Sequence, residues 1–213
     1  MKVFVIGANG NIGRLISQQL SENGDEVVAG IRKPEQAAFF EDHQIKTAHV
    51  NLLGKPEALG VTLDGFDAVI FTAGSGSKTG DDMTLMVDLD GAVKSMQAAQ
   101  IAGVKRYVMV SALWAEDRNR WHAAIRPYYA AKFYADEWLR YRTNLNYTIV
   151  EPGTLTFDKG TGKISTNGVT GGSVAREDVA STVVAALKQP KTINKTIPIL
   201  TGDTLISEAL KNI

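Results

Sequence analysis

A chain of 213 residues, 44% hydrophobic and 22% charged, has room for one substantial core but not for a second full domain, and nothing in that balance points to disorder. Its 23 basic residues offset 23 acidic ones, so no global electrostatic pull toward nucleic acid or an anionic membrane exists, and neither partner is expected. Without cysteine there is no disulfide, thiolate nucleophile or thiolate ligand, and His43, His49 and His122 lack the spacing of a zinc site, so no metal is expected.

The first apolar run, within MKVFVIGANG, ends at Gly7 and is too short for a signal-peptide core or a membrane span, so a cytoplasmic location is expected. Strands are predicted at Val3–Ile6, Glu26–Ile31, Lys46–Val50, Ala68–Phe71, Arg106–Val110, Tyr147–Val150 and Thr196–Ile199. Helices are predicted at Asn11–Asn23, Pro34–Asp42, Asp81–Ala102, Pro127–Arg142 and Arg176–Lys188, with Gly24 and Gly103 as C-terminal caps. Alternation of short apolar strands with helices is the pattern of βαβ units, which predicts an α/β fold: a doubly wound parallel sheet of about seven strands. One domain, 1–213, is expected, with two long connections, 112–126 and 154–173, as small substrate- or cofactor-covering loops.

Directly after the first strand stands Gly7-Ala8-Asn9-Gly10-Asn11-Ile12-Gly13, leading into a helix. Glycines allow a tight turn and close backbone approach to a pyrophosphate, while the helix start offers free N–H groups and the positive end of its dipole. The position makes this a Rossmann-type dinucleotide motif, with Gly7, Asn9, Gly10, Asn11, Ile12 and Gly13 as cofactor contacts. About 20 residues further on, an NAD-binding chain places an acidic residue on the adenosine ribose. Here stand Arg32 and Lys33, suited to a 2′-phosphate, so NADP is expected over NAD, although a solvated basic turn would read the same way.

Tyr128 and Lys132, four residues apart, share a helix face; a tyrosine hydroxyl has an ordinary pKa of about 10, and a neighbouring ammonium stabilises its phenolate for proton transfer near neutrality. Ser111 follows a strand at the carboxyl edge of the sheet, where its hydroxyl can hold a substrate carbonyl oxygen. Trp114, Trp121 and His122 lie in 112–126, where the tryptophans either wall a small substrate or anchor the segment to the core; His122 is expected at the surface.

The glycine motif, Ser111, the Tyr128/Lys132 pair and Tyr147–Gly153 together resemble the short-chain dehydrogenase/reductase superfamily, in particular its compact atypical NAD(P)-binding branch, similar to the NAD-dependent epimerase/dehydratase type. The resemblance spans the whole chain and implies catalytic roles for Ser111, Tyr128 and Lys132. It places Asn51 and Leu52 by the adenine, Thr72, Ala73 and Gly74 along the cofactor, and Pro152, Gly153, Thr154 and Leu155 near the nicotinamide. Two departures stand out: the branch often has Arg where this chain has Glu151, and the usual fourth catalytic Asn falls at Asp88. An aspartate there can still order water in a relay, but with Asp90 beside it the two carboxylates are read first as solvated charges on an exposed helix face. Asp178, in a helix start typical of the branch, is read as structural.

The expectation is therefore an NADPH-dependent oxidoreductase acting on a small carbonyl compound, with a quinone or flavin acceptor as a variant, working as a monomer or homodimer. The alternative is a non-catalytic NADP-binding sensor or regulator on the same fold. Nucleotide-sugar epimerases share the motifs but resemble longer chains, and only about 60 residues follow Pro152 here.

Overall fold

In the computed structural model, residues 1–76 and 78–213 are described. The chain runs β1 (Lys2–Ile6), α1 (Asn11–Glu22), β2 (Glu26–Ile31), α2 (Ala37–Asp42), β3 (Lys46–His49), α3 (Pro56–Thr62) and β4 (Ala68–Phe71). Next come α4 (Asp81–Met83), a π-helical segment Thr84–Gly91, α5 (Ala92–Ile101), β5 (Arg106–Val110), α6 (Arg126–Arg142) and β6 (Asn146–Pro152). The remainder holds β7 (Thr154–Thr156), β8 (Lys163–Ser165), β9 (Ser173–Ala175), α7 (Arg176–Lys188), β10 (Lys195–Thr201), β11 (Thr204–Leu205) and α8 (Ile206–Ala209).

Seven strands form the parallel body of the sheet in the order β3-β2-β1-β4-β5-β6-β10, and they coincide with the seven predicted ones to within two residues at either end. β8 pairs antiparallel with β10, and β11 antiparallel with β8, extending the sheet at one edge to nine strands, and β7 pairs with β9 as a separate two-stranded ribbon. β7, β8 and the start of β9 replace the expected irregular loop at 154–173: three residues give too short a run for period-two alternation to register. The seven-residue α3 was likewise not predicted; Pro56 at its first turn was its only strong boundary signal.

Alternate residues of each strand enter opposite layers, as the pleat requires. Val3 and Val5 pack with Ile16 and Leu20 of α1 and Val179 and Val183 of α7. Phe4 and Ile6 face the other side, with Met96 of α5, Leu139 of α6 and Leu63 beyond α3. Strand order reverses between β1 and β4, so the carboxyl ends of those strands open the crevice in which such sheets bind ligands. No helix among the described residues is long and apolar enough to cross a membrane.

One buried cation ties the far end of the sheet together. Arg106 of β5 donates to the carbonyls of Ala186, Leu187 and Asn146 and to the hydroxyls of Thr148 and Thr192, at 2.7–3.2 Å. Its charge faces the C-terminal carbonyls of α7, the negative end of that helix dipole. Burial alone lowers its pKa to about 10, so it remains charged at neutral pH. Arg106→Met removes these donors and strands buried acceptors, and equilibrium urea unfolding is expected to show a loss of about 3 kcal/mol or more. A change below about 0.5 kcal/mol would mean that the carbonyls find other donors.

Candidate active site

At the switch point, the glycine loop is shaped by close backbone approach. Gly7 has φ of 82°, and a Cβ on it would lie 2.5 Å from the amide nitrogen of Ala73. A Cβ on Gly13 would collide with the Gly7 carbonyl oxygen, so α1 begins hard against the loop. No side chain among the described residues caps α1, which leaves the amides of its first turn for an anion. The residues present therefore fit a dinucleotide pyrophosphate.

Around this loop the predicted cofactor contacts divide. Thr72 and Ala73 border it directly, the Thr72 amide donates to the Ile6 carbonyl at 2.9 Å, and Gly74 lies against Asp88. Asn9 accepts both Nε and Nη2 of Arg14, at 3.2 and 2.6 Å, and the Arg14 guanidinium rests 4.3 Å from the centre of the Phe39 ring. Arg14 is a cation at the glycine loop that sequence reading passed over; its position directly after Gly13 was the available signal. Asn11 is exposed and Ile12 is buried in the core. Asn51 caps its own turn through the Leu53 amide, and Leu52 packs against Gly91.

Arg32 and Lys33 stand exposed after β2, their amides both held by the Gln36 side-chain oxygen at 2.9 and 3.1 Å. Lys33 is 3.6 Å from Glu35, whereas Arg32 has no acidic partner among the described residues. On the opposite flank, Gly153 is a packing glycine: a Cβ would strike Leu200 and lie 2.6 Å from the Gly172 carbonyl oxygen. The Pro152 carbonyl accepts from Leu113, the Thr154 amide donates to Gly172, and Leu155 accepts from Arg176.

Helix α6 presents one polar stripe, Tyr128, Lys132, Asp136 and Arg140, each four residues from the last. Lys132 is buried, donates to the Val110 carbonyl at 3.2 Å, and lies 3.7 Å from Asp88 Oδ1 and 5.6 Å from the centre of the Tyr128 ring. Asp88 Oδ2 in turn accepts from the Ser75 amide at 2.9 Å. Lys132 therefore links the end of β5 to the loop that borders the glycine motif.

Asp88 is not the solvated charge expected: it is 2% exposed. It lies in the π-helical segment, whose wider turn rotates side chains away from a wheel drawn at 3.6 residues per turn. Asp90 does sit on the outer side, paired with Lys94 at 2.5 Å.

Ser111 closes the group. Its amide donates to the Val150 carbonyl at 2.8 Å, and its hydroxyl donates to Asp136 Oδ2 at 2.6 Å. Neither Asp136 nor Glu151 was singled out as part of the site, though Asp136 continues the Tyr128/Lys132 spacing. Asp136 Oδ1 and Glu151 Oε1 are both buried without a partner among the described residues. Burial lifts Asp136 to about 7, against the opposing pull of the Ser111 hydroxyl, Arg140 and Lys132. Burial, then the charges of Asp136 and Glu116, lifts Glu151 to about 8 against Arg140. Tyr128 is also raised: burial, with Asp88, Asp136 and Tyr129, outweighs the ammonium of Lys132 that was expected to lower it. At neutral pH Tyr128 is a phenol.

Trp121 donates to the Ala115 carbonyl at 2.9 Å and stacks on Tyr129, which makes it an anchor for 112–126. Trp114 touches the site of a Cβ on Gly171, so 112–126 and 154–173 meet there. His122 is exposed, and Asp178 is structural, accepting from Thr161 and Gly162.

A family model described as NAD(P)H-binding matches residues 7–190. The chain belongs to the NAD(P)H-binding family. It is 47% identical to the uncharacterized sugar epimerase YhfK of Bacillus subtilis over 215 residues, the whole of both chains. With UPF0659 protein YMR090W of Saccharomyces cerevisiae it shares 38% identity, covering 100% of this chain and 99% of that one. The crystal structure of the oxidoreductase ylbE from Lactococcus lactis superposes with a TM-score of 0.92 at 37% identity, over 100% of this chain and 96% of that chain. This NAD(P)H-binding chain has the Rossmann-like fold and the atypical short-chain dehydrogenase/reductase character that its motifs resemble.

The raised carboxylates fix the sign of a pH effect on stability in this family member. Unfolded, Asp136 and Glu151 titrate in the ordinary range; folded, they keep their protons to about 7 and about 8. The native state therefore binds more protons between about pH 4 and 8, and stability falls as pH rises through that window. Urea unfolding across that range is expected to show a decline on the order of a few kcal/mol, made shallower by Asp136→Asn or Glu151→Gln. A wild-type profile that is flat, or unchanged in both variants, would contradict the raised values.

Proposed function

We propose that this NAD(P)H-binding protein is an NADPH-dependent oxidoreductase that reduces a small carbonyl compound, with Ser111, Tyr128 and Lys132 as its catalytic residues. The observation that carries this is Lys132: one buried ammonium contacts the strand end that presents Ser111, lies beside the Tyr128 ring, and pairs with Asp88 next to the cofactor loop. The name oxidoreductase borne by the Lactococcus lactis relative agrees with it.

When bound, the cofactor supplies hydride. Tyr128, a neutral phenol whose hydroxyl makes no hydrogen bond among the described residues, donates a proton to the substrate oxygen. The ammonium of Lys132 stabilises the phenolate left behind and draws a proton back through water. Ser111 orients the substrate oxygen. Held as a phenol at neutral pH, Tyr128 is in the protonation state that reduction needs rather than the phenolate form that alcohol oxidation needs.

Selection of NADPH falls to Arg32 and Lys33. Arg32 has its guanidinium exposed with no acidic partner among the described residues, and no acidic residue stands directly after β2 to accept ribose hydroxyls. Pro152 to Leu155, with 112–126, cover the substrate side.

Titration with NADPH and NADH is expected to show tighter NADPH binding, and Arg32→Ala combined with Lys33→Ala should weaken NADPH by roughly tenfold to a hundredfold while sparing NADH. A panel of aldehydes, ketones, quinones, flavin and nucleotide sugars should reveal a carbonyl substrate whose turnover drops about a hundredfold or more in Tyr128→Phe. Tight NADPH binding with no turnover of any compound would instead support a sensor; full activity of Tyr128→Phe would remove the catalytic assignment.

A further inference from the structure

We propose that Asp136, with Glu151 behind it, is a protonation switch on Ser111: whether Asp136 holds a proton decides whether Ser111 gives or accepts the hydrogen bond to a substrate oxygen. The substrate half of this rests on the reductase reading; the protonation of Asp136 does not.

A serine hydroxyl has one proton and two lone pairs. As placed, Ser111 gives that proton to Asp136 Oδ2 at 2.6 Å, the short length of a bond to an ionised carboxylate. In that state only lone pairs face the site, which suits a hydroxyl and repels a carbonyl oxygen. Once Asp136 is protonated it donates to Ser111 instead, and the serine proton is released toward a carbonyl. Ser111 can hold the substrate of a reduction only in the second state. Asp136 is thus a positioning residue acting through Ser111.

The surroundings call for that proton. Lys132 and Arg140 face Asp136 from α6, Glu116 from the segment after β5, and Glu151 from β6. Asp88 takes Lys132 from the π-helical segment, and Glu116 and Glu137 take Arg140. Tyr128, one turn beyond Lys132, also feels the charge on Asp136. Two cations thus meet five carboxylates, and two buried oxygens, Asp136 Oδ1 and Glu151 Oε1, have no donor among the described residues. Protonation of Asp136 and Glu151 relieves the excess negative charge that this leaves buried.

Burial holds Asp136 at about 7 and Glu151 at about 8, with the charge on Asp136 adding to the rise of Glu151. The repulsion is mutual but is borne by the member that keeps its proton longer, so Asp136 ionises first and Glu151 retains the last proton. Near neutrality the arrangement sits between its two states.

The test is carbon-13 NMR of the full chain labelled at aspartate and glutamate carboxyl carbons, titrated from mildly acidic to mildly alkaline pH. Asp136 is expected to titrate near neutrality; Ser111→Ala should raise its proton affinity roughly tenfold, and Asp136→Asn should lower that of Glu151 by about as much. An Asp136 midpoint in the ordinary carboxylate range, or midpoints indifferent to both substitutions, would overturn the proposal; the wild-type titration stands even if a variant fails to fold. With a carbonyl substrate from the panel, kcat/KM for reduction should fall about tenfold per pH unit above the Asp136 midpoint. Asp136→Asn, whose amide donates permanently to Ser111, should keep reduction to higher pH. A wild-type reduction profile that does not bend at that midpoint would overturn the coupling to Ser111. An Asp136 that titrates near neutrality with no carbonyl turned over counts against the reductase reading alone.

Discussion

Everything in the candidate site depends on burying one polar stripe of α6. Tyr128, Lys132, Asp136 and Arg140 succeed one another at four-residue spacing and press against the carboxyl ends of β5 and β6, where Ser111 and Glu151 wait. Charged groups in such a place are costly unless each finds a partner. Lys132 finds two acceptors, Arg140 finds Glu116, Glu137 and Thr196, and Asp136 finds Ser111. Where partners run short, at Asp136 and Glu151, the protonation equilibrium moves instead.

This stripe and the glycine loop are joined rather than merely adjacent. The chain from Gly74 and Ser75 through Asp88 to Lys132 runs from the loop beside Gly7 to the helix that presents Tyr128. The π-helical segment makes this possible by turning Asp88 inward. A regular helix over the same residues would leave the carboxylate nearer the solvent face and Lys132 without its second partner. Arg106 does comparable work at the far side of the molecule, where a buried cation gathers the ends of α7, β5 and β6.

Local patterning made most of the architecture legible. Apolar β-branched runs such as Val3–Ile6 and Ala68–Phe71 are strands because both of their faces are covered, and each was readable from its own residues. The glycine motif was equally plain, since its meaning lies in its place between a strand and a helix. Less visible were the pieces that exist only through partners: β8 and β11 pair at the sheet edge, and β7 needs β9, with too few residues in any of them to declare a period.

Sequence by itself determined the parallel α/β fold, the glycine loop between β1 and α1, the end of β5 at Ser111 and the shared helix face of Tyr128 and Lys132, because each rests on spacing within a single element or at its end. Tertiary structure alone decided which charges are buried. Asp88, Asp136 and Glu151 are ordinary acidic residues in the sequence, separated by 15 to 63 positions. Packing takes them out of water and sets them around the same two cations, and a carboxylate's proton affinity is fixed by that surrounding charge and solvent rather than by its neighbours along the chain.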